Sequence, residues 1–305
     1  IPTPFDPRLI VAVPKAVAQA AMDSGVAQKP IEDMAAYESE LSARLNPIIG
    51  NLQATLDQVR AKPRRVVFAE GEEEKSIRAA HAFMNAGYGT PILVGREERV
   101  LETMKSLGLG KIDGMEIHNA RLSDRNADYA EYLYSRLQRK GSLKRDCQRL
   151  VNQDRNVFGC CMLKNGDADG MVTGVTRNYD VALNDSLLVL DPIPGQAVIG
   201  MSMVINRGRT VFIADTSVTE LPQGEDLASI AIEAARSVRS LGFSPRVAFL
   251  SYSTFGNPMG ERGEKVRDAV AILDGMKGID FEYEGDMNAE VALNPAHKML
   301  YPFSR

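Results

Sequence analysis

Arg65-Val-Val-Phe-Ala-Glu-Gly-Glu-Glu-Glu-Lys75, an alanine-rich stretch to about residue 86, and then Pro91-Ile-Leu-Val94 decide the fold class of this chain. Arg65–Ala69 and Pro91–Val94 are short apolar runs of strand length, and the residues between them suit one turn and one helix. Apolar strands joined through a helix imply a parallel sheet covered by helices, so the expected class is α/β. The acidic turn Glu70-Gly-Glu-Glu-Glu74 is read through the dipole of the helix that follows, whose positive end favours carboxylates in the first turn. No catalytic base is assigned there.

The same alternation continues downstream. A helix is expected from residue 97 to about 107, then helices over 125–140, 143–152 and 155–164, leading to strand Gly170-Met-Val-Thr173. Asp191-Pro-Ile-Pro-Gly195 closes the preceding helix and is the strongest boundary signal in this half. After it come strands near 197–204 and 210–214, a long helix over 225–241, strand Val247-Ala-Phe-Leu250, a helix over 262–275 and a strand over 280–283. Upstream, residues 14–29 read as an alanine-rich amphipathic helix. A second helical stretch runs to about Val59, with Leu41, Leu45, Ile48, Leu52, Leu56 and Val59 on one face; Pro47, with Asn46 before it as a possible cap, interrupts it.

Composition sets the outer limits. The chain has 305 residues, 44% apolar and 25% charged, the balance of an ordinary globular protein with room for two cores. A net charge of -4 argues against a nucleic-acid binder that works through a broad basic surface. No apolar run approaches the roughly 20 residues that cross a bilayer. Cys147, Cys160 and Cys161 are an odd count with two neighbours adjacent, which suits reduced, buried thiols of a cytosolic protein. No Cys/His cluster has zinc-ligand spacing, so no metal site is assigned. The start at Ile1, without methionine, reads as that of a fragment.

Chemistry-bearing residues gather at glycine-containing turns next to strands, where α/β proteins bind ligands. In Gly166-Asp-Ala-Asp-Gly-Met-Val-Thr-Gly174, the pair Asp167 and Asp169 reads as turn-capping carboxylates rather than a metal pair. In Leu250-Ser-Tyr-Ser-Thr-Phe-Gly256, Ser251, Ser253 and Thr254 offer hydroxyls and free backbone N–H groups to phosphate or pantetheine oxygens. Phe212-Ile-Ala-Asp-Thr216 ends a strand in the same way. His81, His118 and His297 lack a serine or cysteine partner and are read as surface or packing residues.

Those three stretches, in this order and at this spacing, resemble the core motifs of phosphate acetyltransferases over roughly residues 60–300. Ile1-Pro-Thr-Pro-Phe-Asp-Pro-Arg-Leu-Ile10 and Ala16–Ala27 instead look like the closing strand and last helix of the cofactor domain of bacterial malic enzymes. Together they resemble the hybrid NADP-type malic enzymes that carry a phosphate acetyltransferase-like domain at the C-terminus.

The resemblance implies a three-layer α/β/α, isocitrate dehydrogenase-like architecture in two subdomains with a cleft between them. It implies the end of an NAD(P)-binding domain over 1–30, a helical linker over 31–62, and subdomains over 63–194 and 195–305, without the family's C-terminal segment. Candidate acetyl-CoA or phosphate contacts are Asp169, Thr173, Gly174, Arg177, Asp215, Thr216, Ser251, Ser253, Thr254, Gly256 and Asn257. The expected cofactors of the parent chain are NADP and Mg or Mn, with none in this piece. Acetyl-CoA is the expected effector, and the expected partners are the upstream malic enzyme domain and further copies of the chain, in the cytoplasm.

The chain departs from the resembled family at its cations. Leu137 stands four residues before Gly141 where the family has arginine, with Arg136 adjacent. Asp180-Val-Ala-Leu-Asn-Asp185 places Leu183 where a second arginine would be, and Phe255 and Asn257 replace the usual lysine and serine. Two fixed cations worth roughly 2.7–4 kcal/mol each would be missing from the transition state. The expectation is therefore a regulatory and oligomerisation domain without acetyl transfer and without catalytic residues. The alternatives are a working phosphate acetyltransferase and a ligand-free oligomerisation module.

Overall fold

The computed structural model describes residues 9–45, 55–109, 113–206 and 209–304. They fall into two compact units, one of Leu56–Asp191 and the other of the described residues within Ile1–Thr55 and Pro192–Arg305.

The second of these begins with two helices, α1 (Leu9–Asp23) and α2 (Met34–Leu45), with Lys15 of α1 paired to Glu38 of α2. Helix α1 starts five residues before the expected position and carries Pro14 inside it. It also stops six residues early, because Gly25 takes a left-handed φ of +71° and its N–H turns back to the Met22 carbonyl. Asp33 caps α2 by accepting the N–H groups of Ala35 and Ala36 at 2.9 Å. Leu41 is buried in α2, whereas Asn46, Pro47, Ile48 and Leu52 of the expected helical face lie outside the described residues. The helical segment α3 covers residues 55–61.

The first unit is the α/β layer arrangement that the opening stretch calls for. Strands β1 (Arg64–Phe68), β2 (Gly89–Val94), β3 (Glu116–His118) and β4 (Gly170–Val172) form one parallel sheet in the order β3-β2-β1-β4. Alternation along the strands divides their side chains between two cores. Phe68 and Leu93 pack with Ile77 and Ala80 of α4 (Glu74–Asn85) and with Val100 and Met104 of α5 (Glu97–Ser106). Val67, Ile92 and Val94 face Tyr129 and Leu133 of α6 (Asn126–Leu137), Val151 of α7 (Lys144–Gln153) and Phe158 of α8 (Arg155–Lys164). Val189 of α9 (Tyr179–Val189) closes that side. Tyr129 and Phe158 meet edge-on with centroids 5.4 Å apart, an arrangement worth about 0.5–1.5 kcal/mol beyond its buried area. Cys147, Cys160 and Cys161 are all buried free thiols in this core, as their spacing suggests.

In the other unit, β5 (Met201–Asn206) and β6 (Arg209–Ala214) pair antiparallel. Only two residues separate these strands, too few for the crossover that a parallel pair requires. Strands β7 (Arg246–Leu250) and β8 (Glu282–Met287) are parallel, and their Val247, Phe249 and Tyr283 pack against α10 (Gly224–Ser240) and α11 (Glu261–Gly275). Two short helices, α12 (Ala289–Leu293) and α13 (Pro295–Lys298), follow β8.

Candidate functional site

Parallel strands share one C-terminal edge, and in the first unit the residues just past β1 and β4 grip each other there. The Glu70 side chain belongs to a residue only 3% exposed. Its oxygens accept the backbone N–H groups of Gly174, Val175 and Thr176 at 3.0, 2.6 and 2.7 Å, and the Thr176 hydroxyl at 2.5 Å. Burial alone would raise this carboxyl. The hydroxyl and the three N–H donors outweigh it and hold Glu70 below the ordinary carboxylate range.

Glu72 accepts from the Arg96 guanidinium at 3.0 Å and from the Arg96 N–H at 2.9 Å, and pairs with Arg155 at 3.2 Å. The Arg96 hydrogen bonds lead, against burial, in bringing its pKa down to about 2. Tertiary bonds rather than a helix dipole thus account for most of the acidic turn. Only Glu74 behaves as the dipole reading expects, in the first turn of α4 with Arg78 beside it at 2.8 Å.

Thr173 and Arg177 belong to a second network at this edge. The Thr173 hydroxyl donates to buried Asn156 at 2.6 Å, and the Asn156 amide donates to Asp185 at 3.0 Å. Arg177 lies between Asp154 at 2.6 Å and Asp185 at 2.7 Å, while Asp154 also caps α8. Two carboxylates already neutralise Arg177, so it does not stand open as a phosphate-binding cation.

Asp169 does not join this group. It precedes β4, at the opposite end of the sheet, where it accepts the Arg65 N–H at 2.8 Å and pairs with Arg64 at 3.3 Å. With strand β4 between them, Asp169 and Thr173 are four positions and about 13 Å apart at ~3.3 Å per residue. Asp167 turns to Arg125 and the Tyr129 hydroxyl instead, so the two aspartates do not converge, and no metal-ligating cluster occurs among the described residues.

The loop after β7 is built on Asp286 of β8, which is fully buried. One Asp286 oxygen accepts the Ser253 hydroxyl and faces Arg267 at 3.4 Å, and the other accepts the Gly256 N–H at 3.1 Å. Phe255 donates its N–H to the Asp286 carbonyl at 2.7 Å and holds a left-handed φ of +48°, a strained conformation for a bulky residue. Gly263 of α11 is what lets the helix come this close, since a Cβ there would sit 2.6 Å from the Ser253 hydroxyl.

Ser251, Ser253, Thr254, Gly256 and Asn257 are therefore brought together, but their N–H groups are not free as the sequence reading expects. Ser251 donates to Met287, Ser253 to the Ser251 hydroxyl, and Thr254 and Asn257 to each other's carbonyls. Buried Ser253 and Thr254 support the loop, whereas Ser251 is half-buried and Asn257 exposed. The Phe255 ring packs against Tyr301 and Phe303 with centroids 5.3 and 4.9 Å away.

Asp215 is engaged in its own turn. It accepts the N–H groups of Gly200 and Thr219, both at 2.7 Å, and of Val218 at 3.1 Å. Burial opposes ionisation, but these backbone donors keep the carboxyl below its usual range. Thr216 donates its N–H to the Gly200 carbonyl at 3.0 Å. A separate open cavity of about 400 Å³ lies over β7 and β8, lined in part by Arg209, Arg246, Glu282, Glu284, Met287 and Lys298. None of the candidate residues lines it.

Sequence reasoning missed Glu70, Glu72, Asn156, Arg267 and Asp286 as site-building residues. Asp286 was hidden because the last strand was expected to end at 283, three residues short of it.

Known proteins give this geometry its family. The family model described as phosphate acetyl/butaryl transferase matches residues 52–305. The chain belongs to this family. It is 30% identical over 240 residues to a phosphate acetyltransferase of Clostridium acetobutylicum, covering 76% of this chain and 71% of that protein. The fold is similar to the EutD phosphotransacetylase of Staphylococcus aureus with a TM-score of 0.75 and 26% identity, over 85% of this chain and 79% of that one. Similarity extends over the whole chain, at 56% identity, to an NADP-dependent malic enzyme of Rhizobium meliloti, of which it covers 40%. The chain thus spans about two fifths of the length of the malic enzyme relatives it matches.

Proposed function

We propose that this chain is the phosphate acetyltransferase-like part of an NADP-dependent malic enzyme, where it binds acetyl-CoA as an effector and assists self-association without transferring acetyl groups. One observation carries the reading: the hydroxyls of Ser251, Ser253 and Thr254 are present in a loop built on Asp286, while Leu137, Leu183 and Phe255 stand at the places of the family's cations. Leu137 is buried in the core. Its neighbour Arg136 does not substitute, because its guanidinium is taken by Asp191 at 2.5 Å and by the carbonyls of Leu187, Leu188 and Leu190. The parent enzyme would decarboxylate malate oxidatively to pyruvate in the cytoplasm, using NADP and Mg or Mn outside this chain.

Within this reading, Ser251 and Asn257 meet the ligand and Ser253 and Thr254 hold them in place. Acetyl-CoA titrated into the chain by calorimetry tests the proposal, with Ser251→Ala and Asn257→Ala expected to weaken binding several-fold. Absence of binding leaves the ligand-free module as the better reading. A coupled acetyl-phosphate assay separates the remaining alternative, since turnover near the common enzyme range of about 10 per second would mean a working acetyltransferase.

A further inference from the structure

We infer that the turn Gly174–Thr176 is an oxyanion-binding nest whose resident anion is the chain's own Glu70, and that a small carboxylate such as formate takes its place when that side chain is removed. Three successive backbone N–H groups converge on one carboxylate at 2.6–3.0 Å, and the Thr176 hydroxyl adds a fourth donor at 2.5 Å. Successive N–H groups turned to one side make a concavity with a fixed partial positive charge. Gly174 supplies the turn with a φ of +103°, in the left-handed region that other residues enter at a cost.

No lysine or arginine pairs with Glu70 among the described residues, so dipoles rather than a counter-charge hold it. A site of that kind recognises the two oxygens and their charge, which formate also presents. In the intact chain the nest is filled and sealed, with Glu70 only 3% exposed. Anions from solution are then excluded from it, and any anionic ligand must be held elsewhere. The inference does not depend on the acetyl-CoA reading.

The test compares the thermal midpoints of the intact chain, Glu70→Ala and Glu70→Gln in increasing sodium formate, with sodium chloride at matched ionic strength as control. Glu70→Ala should melt lower than the intact chain and recover part of the loss with formate beyond chloride, in a saturating manner, because a ligand bound only to the folded state raises its stability. Glu70→Gln fills the space with an amide whose own N–H groups oppose the nest, so it should melt lower without formate-specific recovery. The intact chain should respond to formate and chloride alike. A formate response in Glu70→Ala no greater than that to chloride, or no greater than in Glu70→Gln, overturns the inference. If Glu70→Ala is recovered only unfolded, its refolding yield from urea in formate against chloride decides on the same comparison.

Discussion

A buried carboxylate is costly unless its lone pairs are occupied, and Asp286 meets that cost with a hydroxyl, a backbone N–H and one guanidinium. Removing it strands Ser253 and Arg267 together. Asp286→Ala should lose about 3–5 kcal/mol in urea unfolding, while Asp286→Asn, which keeps the shape but not the charge, should lose less. Glu72 makes a second residue-scale prediction through pH. Its carboxyl is lowered from 4.5 to about 2 in the folded chain, so its contribution is complete above pH 4.5 and lost as pH falls toward about 2. The stability gap between the intact chain and Glu72→Gln should therefore be widest near neutrality and close on acidification. A gap independent of pH would assign the effect to packing.

At the scale of elements, local signals and tertiary demands agree for most helices and disagree where a short connection or a shared face intervenes. The hairpin β5–β6 is antiparallel because two residues bridge it, whatever the surrounding pattern. Helix α10 is the other instructive case. Leu227, Ile230, Ala234 and Val238 recur along it at helical spacing, and by sequence alone such a face suits either a second copy of the chain or the chain's own core. Leu227 packs against the cluster of Phe249 and Leu273, and Ile230 and Val238 are buried, so the chain itself already covers this face. Ile230→Ala should cost about 2–5 kcal/mol, read by chemical denaturation, and leave the mass in light scattering unchanged. A dissociated but otherwise stable variant would return the helix to an interface role.

For the whole molecule, the two units differ in how the chain builds them. Leu56–Asp191 is continuous, holds a four-stranded parallel sheet and has apolar clusters on both faces of it. A continuous segment with its own core has what independent folding requires. Residues 56–191 expressed alone should unfold in one cooperative urea transition; a gradual, featureless loss of structure would show that this core needs the rest of the chain.

Sequence alone determined the α/β class, the position of most elements, the family and the three turns where chemistry gathers. Strand length, helical period and glycine or proline punctuation are local properties, legible from neighbours along the chain. Tertiary structure alone decided what those turns do with their polar groups. Glu70 and Gly174 are 104 residues apart, and Arg64 and Asp169 are 105 apart, so neither pairing leaves a local trace. Asp169 and Thr173, four positions apart in sequence, were split to opposite ends of a strand, because a strand advances along its axis and a turn does not. The free N–H groups expected at Ser251–Asn257 vanished for a related reason: donors seek acceptors, and Asp286 and Met287 of another strand took those of Ser251, Phe255 and Gly256 while the loop itself took those of Ser253, Thr254 and Asn257.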